Sequence, residues 1–247
     1  INEEENCLEK ADLKYPDGMD LTDASILSLM EDRNGSLWCG CTNRGLAMIA
    51  SSNDEETFIF IESISGSATG DSHINDIYKD KEETLWCGTD DGYAIRTEKK
   101  KKTIRSYSIG SDITCFQEGT GGKIWIGTIS HGLVELDVLS GKKTIVPELK
   151  GMRIEAMARD NTGRLYLGTS GFGIMIYDPA VKTCTSLSEL DPGNYKLLRN
   201  SYINKLLIDS RNRLWIGHYL GASCYDLGKE SFLDIATDSL MNTSICY

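Results

Sequence analysis

The chain has 247 residues, 26 of them Lys or Arg and 37 Asp or Glu, for a formal net charge of −11; 40% are hydrophobic and 24 are Gly. That composition is globular and long enough to bury a core, while 4 Pro and well-mixed charge exclude a disordered chain, and Gly without a three-residue period excludes collagen. The acidic balance without a basic stripe excludes nucleic acid as a partner, and apolar runs such as 46–50 are far too short to span a bilayer, so no membrane contact is expected of this segment either.

The chain opens at Ile1 without a signal segment, so it is expected to be a mature or excised piece of a longer product. Residues 7–18 read as a partial unit, with an outer strand near Leu13 and a turn at Asp17-Gly18. Five repeats follow, at about 25–61, 73–107, 112–146, 153–187 and 202–235, and 242–247 read as the start of another partial unit. Each repeat opens with an apolar strand beginning at Ile26, Ile74, Ile113, Ile154 or Ile203 and ending in an acid: Asp32, Asp80, Glu118, Asp160 or Asp209. A tight turn comes next, as in Asp32-Arg33-Asn34-Gly35, where Asp bonds backbone amides and Gly accepts positive φ. Glu83 stands at that Gly position in the second repeat, which predicts a strained or reshaped hairpin.

The second strand carries the repeat's signature: Trp38 with Gly40, Trp86 with Gly88, Trp125 with Gly127, Tyr166 with Gly168, and Trp215 with Gly217. Those glycines are spaced by 48, 39, 41 and 49 residues, the period of four-stranded propeller blades. A third strand follows a second Gly-containing turn, and outer strands are expected at 58–61, 104–107, 143–146, 183–187 and 231–235. No segment holds a helical period with caps. The fold class is therefore an all-β propeller of four-stranded antiparallel blades, expected as an open arc or as part of a larger ring. One large aromatic at the same place in each unit reads as scaffold that fills the wedge between blades.

The run of apolar strand, Asp, Gly turn, Leu-Trp-Ile-Gly-Thr and Gly-Leu strand resembles the two-component regulator propeller repeat, over roughly residues 25–235. That resemblance implies a sensor region, periplasmic in Bacteroidetes, of a hybrid two-component regulator. Such a parent would hold further propeller and β-sandwich domains, one membrane span, a histidine kinase and a DNA-binding regulator, and would act as a homodimer. It implies an oligosaccharide as the signal. The sequence departs from the repeat at Cys41 and His218, which replace the anchor Thr kept at Thr89, Thr128 and Thr169. Those Thr are expected to hold the hydrogen bonds of the turn.

Catalytic chemistry finds little support in the residues. The eight Cys contain no Cys-x-x-Cys pair and fall mostly at apolar strand positions, which fits small buried hydrophobes better than bridges. His73, His131 and His218 are too scattered for a local metal motif, so no metal or cofactor is expected. A propeller lyase or hydrolase, with acid, base and metal at the channel mouth, stays open as an alternative, as does an interaction module without a ligand of its own. The ligand-binding candidates lie on the face formed by the turns after the second strands and the links between blades: Arg44, His131, His218 and Tyr219. The long links at 62–73 and 188–202 add Tyr195, Arg199, Asn200 and Tyr202, whose aromatic faces and planar polar groups suit a sugar.

Overall fold

The computed structural model describes residues 25–42, 45–49, 73–98 and 103–233. Blade one consists of β1 (Ile26–Glu31), β2 (Leu37–Cys41) and β3 (Gly45–Ile49). Blade two is β4 (Ile74–Lys79), β5 (Leu85–Thr89), β6 (Tyr93–Glu98) and β7 (Thr103–Ser108), and blade three is β8 (Ile113–Glu118), β9 (Lys123–Thr128), β10 (Leu133–Asp137) and β11 (Lys143–Ile145). Blade four comprises β12 (Ile154–Arg159), β13 (Leu165–Thr169), β14 (Ile174–Asp178) and β15 (Thr183–Ser186), and blade five β16 (Ile203–Ile208), β17 (Arg213–His218), β18 (Gly221–Asp226) and β19 (Ser231–Leu233). Each sheet is an antiparallel meander in chain order, so the all-β propeller expected from the repeat is the fold observed. The outer strand expected at 58–61 and the partial units at 7–18 and 242–247 lie outside the described residues. The 188–202 link, expected as plain loop, carries a helical turn that begins at Leu187–Leu190 and a 3-10 turn at Tyr195–Leu198.

The blades stack face to face along the chain, with each first strand packed on the first strand of its neighbour. A local irregularity makes this possible. In all five blades the pairing register shifts immediately after the opening Ile, so that Ser28, Asp76, Cys115, Ala156 and Lys205 come opposite the signature glycines. Gly40, Gly88, Gly127 and Gly168 lack a Cβ where the next blade's opening Ile arrives. A Cβ on Gly88 would lie 2.5 Å from Ile113 Cγ2, one on Gly127 3.0 Å from Ile154 Cγ2, and one on Gly168 2.6 Å from Ile203 Cγ2. The isoleucines so seated are fully buried at 113, 154 and 203, each worth about 1.5–3 kcal/mol in apolar burial. Polar straps accompany the seats: Asn75 Nδ2 donates to the Ile113 carbonyl at 3.1 Å, and Thr114 Oγ1 donates to the Ile154 carbonyl.

The wedge aromatics also behave as expected. Trp86, Trp125 and Tyr166 are buried, and Trp86 packs with Ala94, Phe116 and Ile126 across the junction of blades two and three. Four of the five repeat aromatics, Trp125 excepted, carry a second role that the sequence did not disclose. The acid ending the first strand accepts the aromatic six residues later: Asp32 from Trp38 Nε1 at 3.2 Å, Asp80 from Trp86 at 3.1 Å, Asp209 from Trp215 at 2.9 Å, and Asp160 from the Tyr166 hydroxyl at 3.4 Å. Its other oxygen closes the turn, as Asp80 does by accepting the Glu82 and Thr84 amides at 3.0 and 2.9 Å. Burial alone would raise Asp32 and Asp160, but these bonds outweigh it and hold both carboxyls below the usual range. Glu83 adopts φ 64 with the turn bonds intact, so that hairpin is strained and not reshaped.

Candidate functional site

Among the described residues, two places could receive a ligand, one at each end of the blades. The first lies where blades four and five meet, on the face expected from the sequence. Thr169 organises it. Its hydroxyl donates to the Gly173 carbonyl at 2.8 Å and accepts the Phe172 amide at 3.1 Å, which fixes the 170–173 turn. The Ser201 carbonyl accepts the Gly171 and Gly173 amides at 3.0 and 3.1 Å, and a bridge pairs Ser170 with Tyr202, so the turn is stitched to the end of the 188–202 link. The Tyr202 ring consequently stands beside Gly171, where a Cβ would fall 3.8 Å from the ring.

Tyr202 and Tyr219 meet edge to face at 6.4 Å between centroids and 86°. Tyr202 is 51% exposed, Tyr219 74% and Phe172 60%. An apolar body carrying a polar tip normally reaches solvent singly, so two such rings fixed at right angles on a bonded turn form a platform. Arg199 is exposed at the end of the 3-10 turn in a left-handed conformation, φ 58, and its charge acts on His218, the residue before Tyr219.

Other candidates have structural work instead. Tyr195 is held by the scaffold: its hydroxyl is wedged against Gly173 and accepts the Ile174 amide, and its ring packs edge to face on Phe232. Asn200 Oδ1 accepts the Tyr202 amide at 2.7 Å and so shapes the link. His218 is buried, its Nδ1 accepting the Leu220 amide at 3.2 Å and its Nε2 lying 3.0 Å from Ser223 Oγ, which donates to the Leu197 carbonyl at 2.8 Å. With Nδ1 accepting, Nε2 carries the proton, and burial, then the Arg199 charge, pushes the imidazole below its ordinary value. It is a neutral pin joining the 217–221 turn to the link. His131 sits at the matching turn of blade three, its amide donating to Thr128 Oγ1 at 3.0 Å and its ring Nδ1 buried. Arg44 lies outside the described residues.

The second place was not singled out by the sequence. At the opposite end, the turns after the first strands surround a cavity of about 650 Å³ whose lining includes Tyr78, Lys81, Gln117, Glu118 and Arg159. Its acids are largely committed, since Asp80 and Asp160 close their own turns and Lys81 pairs with Glu118 at 3.8 Å. Asp76, on the same strand as Tyr78, accepts the Phe116 amide at 3.1 Å. Burial raises Asp76 to about 7, and the Lys205 charge opposes that rise. No group of three or more His, Cys, Asp or Glu with metal-binding geometry occurs among the described residues. The described cysteines are free, and all but Cys184 are buried, with burial raising Cys87 to about 12 and Cys41 to about 11. These are packing thiols, as expected.

Comparison with known proteins agrees with the repeat. A family profile described as "Two component regulator propeller" matches residues 20–43. No curated protein sequence matches the chain. Among solved structures, the chain is similar to the extracellular domain of a putative one component system, BT4673, of B. thetaiotaomicron, at 20% identity and a TM-score of 0.67 over 87% of this chain and 28% of that one. A second structure, of the extracellular domain of the putative hybrid two component system BT4673, gives 24% identity and a TM-score of 0.66 over 85% of this chain and 30% of that one. At those identities the likeness is one of fold, and the chain spans less than a third of either neighbour's length. The chain is thus a β-propeller whose first blade carries a two component regulator propeller repeat.

Proposed function

We propose that this propeller is a non-catalytic sensing segment of a hybrid two-component signalling protein, exposed in the periplasm, and that it recognises an oligosaccharide on the Tyr202–Tyr219 platform. The repeat match and the neighbours' description as extracellular domains of one- and two-component systems support the signalling role and the location. The single observation that carries the ligand class is the exposed right-angled tyrosine pair beside Phe172. A pyranose offers an apolar C–H face to one ring and hydroxyls to the tyrosine tips and Arg199. Binding would act by shifting the positions of the parent's other domains, which together with a homodimeric arrangement are the partners of this segment.

The test is calorimetry and thermal shift of the 247-residue chain against plant, host and microbial oligosaccharides. A ligand bound only by the folded state raises Tm by mass action, by about 2.7 kcal/mol of stabilisation at a hundredfold excess over Kd. Loss of the signal in Tyr202→Ala and Tyr219→Ala, with unliganded Tm kept within about 2 °C, supports the platform. A signal that survives both substitutions but fails in Arg159→Ala would move recognition to the opposite cavity.

A further inference from the structure

The first strands of blades two, three and four pack side by side, and residues at their ends line the cavity opposite the tyrosine platform. Its carboxylates already have partners. Asp80 accepts the Glu82 and Thr84 amides on one oxygen and Trp86 Nε1 on the other, Asp160 accepts the Thr162 and Arg164 amides and the Arg164 guanidinium, and Glu118 pairs with Lys81. Arg33 and Lys79 are both bridged to Glu83. The donors left over come one from each strand. Arg159, at the end of β12, forms no ion pair among the described residues, and its Nη2 lies 3.3 Å from where a Cβ on Gly163 would stand. Tyr78, on β4, accepts the Glu118 amide at 3.2 Å through its hydroxyl oxygen, so its proton remains to be donated, and the Arg159 charge acts on it. Gln117, on β8, is half-buried, and its side-chain amide has no partner among the described residues. The series of turn acids is also interrupted here. Six residues after the opening Ile stand Asp32, Asp80, Asp160 and Asp209, but Gly119 in blade three, with Glu118 one place short. Trp125 Nε1, 3.1 Å from where a Gly119 Cβ would stand, has no acceptor among the described residues, although Trp125 is only 4% exposed.

We propose that this cavity binds an oxyanion carried by a small molecule, a carboxylate, phosphate or sulfate group, with Arg159 as its paired cation and Tyr78 and Gln117 as flanking donors. A guanidinium offers a planar fork of N–H groups that matches two oxygens of such a group, and a hydroxyl and an amide on neighbouring strands can donate to the remaining lone pairs. A ligand rich in donors finds less here, because the carboxylate oxygens are occupied by the turns and by Lys81. The cavity, about 650 Å³, falls within the range of small-molecule sites and is larger than a bare ion needs, so the charged group is one end of a larger ligand. The net charge of −11 does not forbid an anion at this place, since the field of distant charges is screened over about 8 Å at physiological ionic strength and nearby groups decide. Gly119, directly after the lining pair Gln117 and Glu118, removes from this end the one acid that would have stood between Asp80 and Asp160. The site shares no residue with the Tyr202–Tyr219 platform and stands or falls apart from it.

The experiment is calorimetric titration of the full chain with sodium glucuronate, phosphate and sulfate at matched ionic strength, with methyl glucoside as the neutral control. At least one anion should bind with Kd below about 1 mM while the glucoside gives no heat, and the tightest of the three names the charged group. Arg159→Met should weaken that binding about tenfold or more, Arg159→Lys by less, because it keeps the charge and loses the fork, and Tyr78→Phe about threefold. Arg211→Met removes an exposed cation from the corresponding turn of blade five and should leave Kd unchanged, as should Tyr202→Ala on the platform. Unliganded Tm is read for every variant, and Arg159→Lys and Tyr78→Phe, which keep side-chain volume, carry the comparison if Arg159→Met melts more than about 2 °C below the parent. Absence of heat with all three anions overturns the proposal. So does an affinity untouched by the Arg159 and Tyr78 variants, an equal loss in Arg211→Met, or a glucoside that binds as tightly as glucuronate.

Discussion

Asp160 is the residue whose removal tests the strap between turn and wedge. Its carboxylate accepts the Thr162 amide at 2.9 Å, the Arg164 amide at 3.0 Å, Thr162 Oγ1 at 2.6 Å, Arg164 Nε at 3.0 Å and the Tyr166 hydroxyl at 3.4 Å, and the residue is 6% exposed. Asp160→Ala leaves the two amides and the buried Tyr166 hydroxyl without this acceptor, while Arg164, which is partly exposed, recovers water. Losing a charged acceptor shared by several donors costs about 2–3 kcal/mol, which for a domain of this size lowers Tm by about 4–12 °C. Asp178→Ala is the control, because that carboxylate accepts the Ala180 amide at 2.9 Å in a partly exposed turn and should cost under about 1 kcal/mol. The Asp160 carboxyl is held below its ordinary value of 3.8, so its contribution is present above that pH and is lost as pH falls through the lower folded value. Melting followed by circular dichroism should show the gap between parent and variant narrowing below about pH 4. A variant within 1 °C of the parent at pH 7, or a gap that widens in acid, would refute the strap.

Three further outcomes are expected. Glu83→Gly relieves the φ 64 backbone and should raise Tm by about 2–4 °C despite losing contacts to Lys79 and Arg33; a lower Tm would show that those ion pairs outweigh the strain. Thr128→Val removes a fully buried hydroxyl that accepts the His131 amide at 3.0 Å and donates to the Gly132 carbonyl at 2.8 Å, and should cost about 1–3 kcal/mol in urea unfolding, with no change if the turn is held by other means. Asp76, raised to about 7, favours its neutral form in the fold, so it contributes stability at low pH that is lost as pH rises from about 4 through 7. Asp76→Asn should flatten that decline between pH 5 and 8, and an unchanged pH profile would remove Asp76 from the account.

The fold was legible because its determinants recur. Five copies of one short signature fix period, strand order and wedge aromatics without any knowledge of tertiary contacts. The site was legible only in part, and His218 shows why. It occupies the position held by Thr89, Thr128 and Thr169 in other blades, and it does what Thr128 and Thr169 do, accepting a turn amide and serving a polar group beyond it. Position in the repeat outweighed residue type, so a ring expected at a ligand became a pin. Tyr195 is a different case: the turn at Tyr195–Leu198 brings its ring onto Phe232, and side-chain direction in so short an element has no sequence signature. Tyr202 and Tyr219 sit at an exposed strand start and turn, so their rings stay at the surface and in contact with each other. The acid-to-aromatic bond over six residues is present in the sequence of four repeats, and only the geometry gives it meaning.

The glycine seats separate two properties that most folds keep entangled. Because each junction is closed by one methyl in one notch, the connection between blades can vary from a tight corner to a long excursion without altering how the blades meet. Evolution can therefore lengthen or recolour a connecting segment while the joint stays standard. A lineage of such chains would diversify at the rim and remain conservative at the joints between its units.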